Sequence, residues 1–542
     1  MAEYVDLPRD SNQALGIARY AIGFLSDDPS ARGEPDEKVL AHTNRFLTDA
    51  SLCGVSALAL GTNAPTLLRA EALDYPAREG ERGASVFGSQ APVKTEKAIV
   101  ANCAAVREWD SNGTNFGYNP KLGHTAGEFG HNDFYPVAIA AAQATGADGR
   151  KALLASVCHD EIRGRLAEVF SLKSYKIDHV LHGAIATAAV FGAMLGAGDE
   201  QIESAIGMTV AHYVPFRAIR AGKQLSDSKG ASAAISTEAA CLSVLRSMRG
   251  FLGPRDIFRN PEAVFRLFEG PGRKFVPAGK EGEQGGKART GGKNGDASPF
   301  DLKLARTGGE FAVMGMHFKI GLYEHQSAGA IQAVIDLLQK APHLLDDATG
   351  DQIKKINITA YEPAFGIIGD PAKRNPTTRQ SADHSMVYIV ATLLRKALHG
   401  RSEGREPQWQ DLMLMPRDYS EASINNTVTR ELMNKIAFSH GGAEYDKRYP
   451  DGIPTSVVIE AKDGTSFSSG MVMYPAGHAR NRSADLDALL GTKWKRLGEL
   501  ASSTPDEIIG RFDHLDQKSA GEIRNLHGFE IARSEAEAGV KA

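Results

Sequence analysis

Asp110, Thr114, His124 and His131 fall within one glycine-punctuated loop, WDSNGTNFGYNPKLGHTAGEFGHNDF, which runs directly into the alanine-rich segment Tyr135 to Ala144. That segment has the composition of a helix, so the polar residues sit where a helix starts and its backbone N–H groups favour an anion. A carboxylate, a hydroxyl and two imidazoles able to converge there suit proton transfer on a small ligand, since imidazole titrates near neutral pH. The competing reading is an ordinary polar surface loop.

Further along, Arg217 and Arg220 are three residues apart. On a helical turn they share a face and can clamp carboxylates, although alone they read as solvated surface charges. Lys229, in QLSDSKGAS, precedes a long alanine-rich helix. His182 follows His179 at helical spacing and shares its face. Cys158-His159-Asp160 is no triad, because consecutive helical residues point about 100° apart. Cys53, Cys103, Cys158 and Cys241 show no zinc or iron–sulfur spacing and read as buried small hydrophobes.

The elements that must carry these residues are mostly helical at first. Apolar spacing predicts helices over Asp36 to Leu60, Val93 to Trp109, Tyr135 to Ala144, Arg150 to Phe170, Ala184 to Leu195, Glu200 to Tyr213 and Ala231 to Met248, with at most a short hairpin around Ala84 to Gly88. Lys274 to Ser298 is packed with Gly, Lys and Glu and has almost nothing to bury, so it is expected to be a disordered insertion. A mixed region follows, with helices over Gln326 to Gln339 and Ser385 to Leu398 and strands over Ile353 to Tyr361, Ser456 to Ala461 and Ser466 to Met473. Asp463-Gly464 is a hairpin signal between the last two. Helices return over Ala484 to Leu497 and Pro505 to Phe512. The fold class is therefore mainly α plus α+β: a large all-helical domain, residues 1–270 completed by 479–542, with a smaller α+β lid domain over 271–478.

Apolar content of 42% and charged content of 24% describe a soluble globular chain, and a net charge of −4 implies no nucleic-acid surface. The longest apolar runs are too short to span a bilayer, and the acidic N-terminus has no hydrophobic signal region, so the cytoplasm is the expected compartment.

One ordered set of motifs narrows the function: Asp110 with Thr114, Gly130-His131, Asp178-His179-Val180, Ser228-Lys229, Phe318-Lys319 with His325, and Tyr474-Pro475 followed by Gly477-His478-Ala479-Arg480. In this order they resemble the MmgE/PrpD family, over roughly Asp36 to Leu515. Within it, Phe216-Arg217-Ala218-Ile219-Arg220 and YPAGHARNR are most similar to the dehydratase branch. The resemblance implies a homodimer without metal or organic cofactor and an active site between helical domain and lid. It implies a lyase of small di- or tricarboxylic acids, foremost dehydration of 2-methylcitrate or a similar hydroxy acid. Decarboxylation of the cis-aconitate type, carboxylate epimerisation and a non-catalytic acid-binding or scaffold role are the alternatives.

It also implies roles. His131 and His179 are the acid–base candidates, with Asp110 orienting a base or binding substrate and Lys229 binding a carboxylate. Thr114, Arg217, Arg220, Lys319 and His325 are expected to bind substrate. His124 would substitute for or crowd a family residue, and His478 and Arg480 would tie the lid to the helical domain. Asp383, in QSADHSMVY with His384, reads first as a helix N-cap and second as a ligand contact. The chain departs from the dehydratase pattern at Gly113, where that pattern has Asp, in extra residues between Thr114 and Gly130, and in a shorter Lys319 to His325 spacing. These departures bear on substrate and leave the fold intact.

Overall fold

The computed structural model describes residues 2–220, 225–267 and 297–533. Its first half is built from helices α1 (Gln13–Phe24), α2 (Glu37–Ala59), α3 (Asn63–Leu73), α4 (Thr95–Glu108), α5 (Tyr135–Thr145), α6 (Gly149–Val169), α7 (Val180–Met194), α8 (Asp199–His212) and α9 (Asp227–Ser247). Helix α7 is apolar on all sides, and every residue from Val180 to Gly192 is buried. A helix with no polar face belongs in the middle of a bundle. It packs against α6, α8 and α9, while α9 also lies along α4. All four cysteines are free and buried.

The last described helices return to this helical body. Helices Leu486–Glu499 and Pro505–Phe512 pack on α2, and the short helix Ala520–Arg524 packs on α5. Between lies a four-stranded sheet in the order Ser466–Val472, Thr455–Ala461, Ile353–Ala360, Ile436–His440. The first two strands form the expected antiparallel hairpin, with Gly464 at φ +89°, where a side chain would be strained. The outer strand Ile436–His440 runs parallel to Ile353–Ala360. Helix Ala328–Lys340 covers the hairpin strands, and helix Met386–Ser402 packs on that helix. The architecture is mainly α with an α+β part, 53% helix and 10% strand.

Several elements differ from the sequence reading. Ala84 to Gly88 forms no hairpin; Val93 instead makes isolated bridges to Pro76 and Ala84. Strand Tyr4–Leu7 pairs with Leu302–Ala305, a partner too distant in sequence for local pattern to reveal. Helices α1 and α3 and strand Ile436–His440 were likewise not expected. The Lys274 to Ser298 insertion lies, up to residue 296, outside the described residues. Among the described residues no single helix is long and apolar enough to cross a membrane.

Candidate active site

Helix α4 ends at Glu108, and Trp109 turns the backbone extended, so Asp110 stands clear of the helix. A carboxylate on the last helical turn would face the carbonyl end of the dipole. Outside it, Asp110 enters a fully buried cluster of cations. The Lys319 ammonium bonds Oδ1, while Oδ2 faces Lys229 Nζ at 3.3 Å, Arg107 Nη2 at 3.3 Å and His384 Nε2 at 3.1 Å. Burial opposes ionisation of Asp110, but Arg107, Lys319, Lys229 and His384 together hold its carboxyl well below the usual range.

Lys229 does not precede its helix, as the sequence suggested; it is the third residue of α9. An ammonium in a helix's first turn meets the positive end of the dipole, an arrangement accepted here because Asp110 and, at 3.7 Å, Asp383 face it. Burial lowers its pKa to about 8 against the pull of those carboxylates. Burial also lowers Lys319, with Asp110 opposing.

The loop after Asp110 is fixed by a small three-way pairing. Thr114 pairs with His131 across the two-residue strands Thr114–Asn115 and Gly130–His131, and exchanges backbone hydrogen bonds with His317. The Thr114 hydroxyl donates to Gly130 O at 2.5 Å, so its proton is committed to the backbone that carries His131. His131 Nδ1 lies 3.4 Å from Lys319 Nζ, and its ring is 5.4 Å from that of His179 at the start of α7. Burial, with Arg107 and Lys319 nearby, pushes the His131 imidazole well below its ordinary pKa.

His325 opens the turn before helix Ala328–Lys340 and is fully buried, with neither ring nitrogen hydrogen-bonded. Its ring stacks on His317 at 5.4 Å, and His317 packs on His478 at 4.1 Å. His317 and His478 also line a cavity of about 370 Å³ with Phe116, Arg480 and Glu310. None of the side chains touching Asp110 lines it.

Models of the MmgE/PrpD N-terminal and C-terminal domains match residues 17–275 and 325–509. This chain belongs to the MmgE/PrpD family. The Escherichia coli K12 protein named 2-methylcitrate dehydratase is 26% identical over 349 residues, 63% of this chain and 62% of that protein. A Salmonella typhi protein of the same name is 24% identical over 443 residues, 78% of this chain and 81% of its own. The mitochondrial 2-methylcitrate dehydratase of Yarrowia lipolytica is 27% identical over 340 residues, 61% of this chain and 55% of that protein. The chain thus spans less than two thirds of the length of the Escherichia coli relative.

Of the residues the family resemblance nominated, the structure gathers Asp110, His131, Lys229 and Lys319 in direct contact, with His179 beside His131. Arg217 and Arg220 are the first and last residues of one turn of 3-10 helix. Arg217 makes no contact with Asp110; its charge acts on Glu128 and Lys173, and the Arg220 side chain lies outside the described residues. His124 is not at the site either, because its Nδ1 pairs with Glu168 at 3.0 Å. His182 is buried with both nitrogens unbonded, and burial lowers its pKa to about 3.

Asp383 is no N-cap. Ser385 caps helix Met386–Ser402 by accepting from Tyr388 N, which frees Asp383 to bond His384 Nδ1. Arg379 holds the other Asp383 oxygen at 3.3 Å, bonds the Glu108 carboxylate and lies 4.9 Å above the Trp109 ring. Sequence reasoning also missed Arg107, one helical turn before Asp110, and Glu324, whose burial beside Asp110 pushes its carboxyl up to about 7 against Lys319. Adjacency to His325 was the available signal for Glu324.

Asp110, Asp383 and His384 bring ligand atoms within 4.8 Å of one another, a spacing that suits a cation. The Lys229 ammonium, within 3.7 Å of both carboxylates, already fills that role. Gly113 has a packing cause: a Cβ there would meet the Phe46 ring at 2.5 Å, and Phe46 is stacked on Phe318 at 3.8 Å.

Proposed function

We propose that this protein is a cofactor-independent hydro-lyase of small di- or tricarboxylic acids, with 2-methylcitrate or a closely related hydroxy acid as substrate. The observation that carries the reading is the pair of buried ammoniums, Lys229 and Lys319, converging on one carboxylate from opposite oxygens. A polycarboxylate offers them the same partner that Asp110 supplies now. The names of the relatives support dehydration in particular.

Removing a proton beside a carboxylate places charge on that carboxylate, and buried cations stabilise it more strongly than water does. Lys229 and Lys319 bind and stabilise, Arg107 shares Asp110 with them, and the Lys319–His131 pair, with His179 beside it, lies on the side from which the leaving hydroxide is protonated. Burial of Asp110, Lys229 and Lys319 strengthens every one of these interactions.

A second reading, decarboxylation or epimerisation, uses the same stabilised carbanion. Turnover in deuterated buffer followed by NMR separates the three. Loss of water supports the hydro-lyase, while loss of carbon dioxide, or deuterium incorporation with inversion, replaces it. The family's homodimer is carried as part of this proposal, and sedimentation of the purified chain as a monomer contradicts it.

A further inference from the structure

The sequence motif that the proposed mechanism leaves unused is Asp383-His384, and its geometry is that of an oriented base. Asp383 bonds Nδ1 of His384, while Nε2 lies 3.1 Å from Asp110 Oδ2 and is left without a hydrogen bond to it. A carboxylate on one ring nitrogen fixes the tautomer and aims the other nitrogen at a reacting atom. The support behind it is rigid: Arg379 joins Asp383 to the Glu108 carboxylate and to the Glu108 carbonyl at 3.0 Å, and Glu324 N donates to the Asp383 carbonyl at 2.8 Å. Such backing is what a site needs to hold a side chain in productive geometry.

Position argues the same way. His384 and Lys229 share the Oδ2 side of Asp110, whereas Lys319 and His131 occupy the Oδ1 side. At 9% exposed, His384 is also the most accessible member of a cluster in which Asp110, Asp383 and Lys319 are 0% exposed.

We propose that His384, oriented by Asp383, is the catalytic base that removes the substrate's carbon-bound proton, with Arg379 and Asp383 as positioning residues. This inference rests on the hydro-lyase reading. Nε2 takes the proton, and the C–H electron pair becomes the new carbon–carbon double bond. The neighbouring C–O bond breaks, its electrons leave with oxygen as hydroxide, and a proton from the Lys319–His131 pair makes it water. His384 then returns its proton to solvent and the Lys319–His131 pair regains one.

The test uses the full chain labelled with ¹⁵N-histidine, with citrate as the probe ligand. One ring's signals vanish in His384→Gln, and the expected result is that the Nε2 signal of this ring moves saturably with citrate in the parent protein. Asp383→Asn removes the Nδ1–H signal of that ring. With 2-methylcitrate, His384→Gln is expected to lose about 10²–10⁴-fold in kcat with little change in KM, and Asp383→Asn a smaller kcat loss with KM again unchanged. His384→Asn repeats the measurement if the glutamine variant does not fold. A ring that citrate leaves unmoved, or a His384→Gln enzyme with the parent's kcat, overturns the inference. If the parent turns over no acid, the hydro-lyase reading fails, and the citrate titration alone decides whether His384 faces the ligand.

Discussion

Lys493 and Lys229 are both buried ammoniums facing aspartates, and the chain holds them in opposite ways. Lys493 bonds Asp49 at 2.7 Å, Ser111 O at 2.6 Å and Lys319 O at 3.0 Å, and Trp494 completes Asp49 at 3.0 Å. Its three protons have three short acceptors. Lys229 has Asp110 at 3.3 Å and Asp383 at 3.7 Å, both long, around an aspartate that also serves Arg107 and Lys319. A filled set of hydrogen bonds makes a strut; loosely met cations on one crowded carboxylate make a place where another anion can bind. The strut serves the site as well, because its carbonyl partners, Ser111 and Lys319, belong to the two segments that meet at Asp110.

The contrast breaks first at Lys319. Lys319→Ala is expected to lose on the order of 10³-fold or more in kcat/KM, with the melting temperature held or raised. Steady-state kinetics beside thermal melts check this, and a cold melt with intact kcat/KM would make Lys319 a second strut.

Lys493→Met should do the reverse. It strands Asp49 in the core and is expected to cost about 3–5 kcal/mol in denaturant unfolding. Replacing both partners, Asp49→Leu with Lys493→Met, should restore most of that loss, since apolar residues of similar volume often substitute for a buried pair without penalty. A double variant as unstable as the single one would show that the carbonyls of Ser111 and Lys319 depend on the ammonium.

A third effect is set by pH. Lys229 titrates at about 8 in the folded chain and at an ordinary 10.5 when unfolded. Between those values the unfolded chain binds the extra proton, so this group adds stability as pH rises through the window. Carboxylate binding runs the other way, and KM should climb above about pH 8 as the ammonium is lost. Lys229→Arg keeps its charge and should remove that limb of the pH–KM profile. An unchanged limb would assign it elsewhere.

The smallest effect is expected at His182, three residues from His179 yet unbonded and walled off in the core. His182→Leu should leave kcat and KM unchanged and hold or raise the melting temperature, which a melt and one kinetic curve would show.

Much of this contrast was legible in the sequence, unevenly. Helix existence followed from apolar period, so α2, α4 to α9 and the Asp463-Gly464 hairpin were expected within a few residues. Pairings such as Tyr4–Leu7 with Leu302–Ala305 were not, because a strand's partner leaves no local trace. At the site, Asp110 and His131 stand out from the composition of their loop, whereas Lys229 and Lys319 each read alone as a surface charge and are nominated through family resemblance. Arg107, Glu324 and Arg379 stayed hidden because their meaning lies in which carboxylate they meet across the fold. Asp383 misled for a local reason: an aspartate just before a helix looks like a cap, and only the structure gives that task to Ser385.

The most direct test is the ultraviolet absorbance of purified, chelator-treated protein mixed with 2-methylcitrate. An unsaturated acid conjugates its double bond with a carboxylate and absorbs where the substrate does not. The expected result is a steady rise that Lys229→Ala abolishes. No rise with the parent protein, or an undiminished rise with Lys229→Ala, would contradict the assignment of this buried cluster as a dehydrating site.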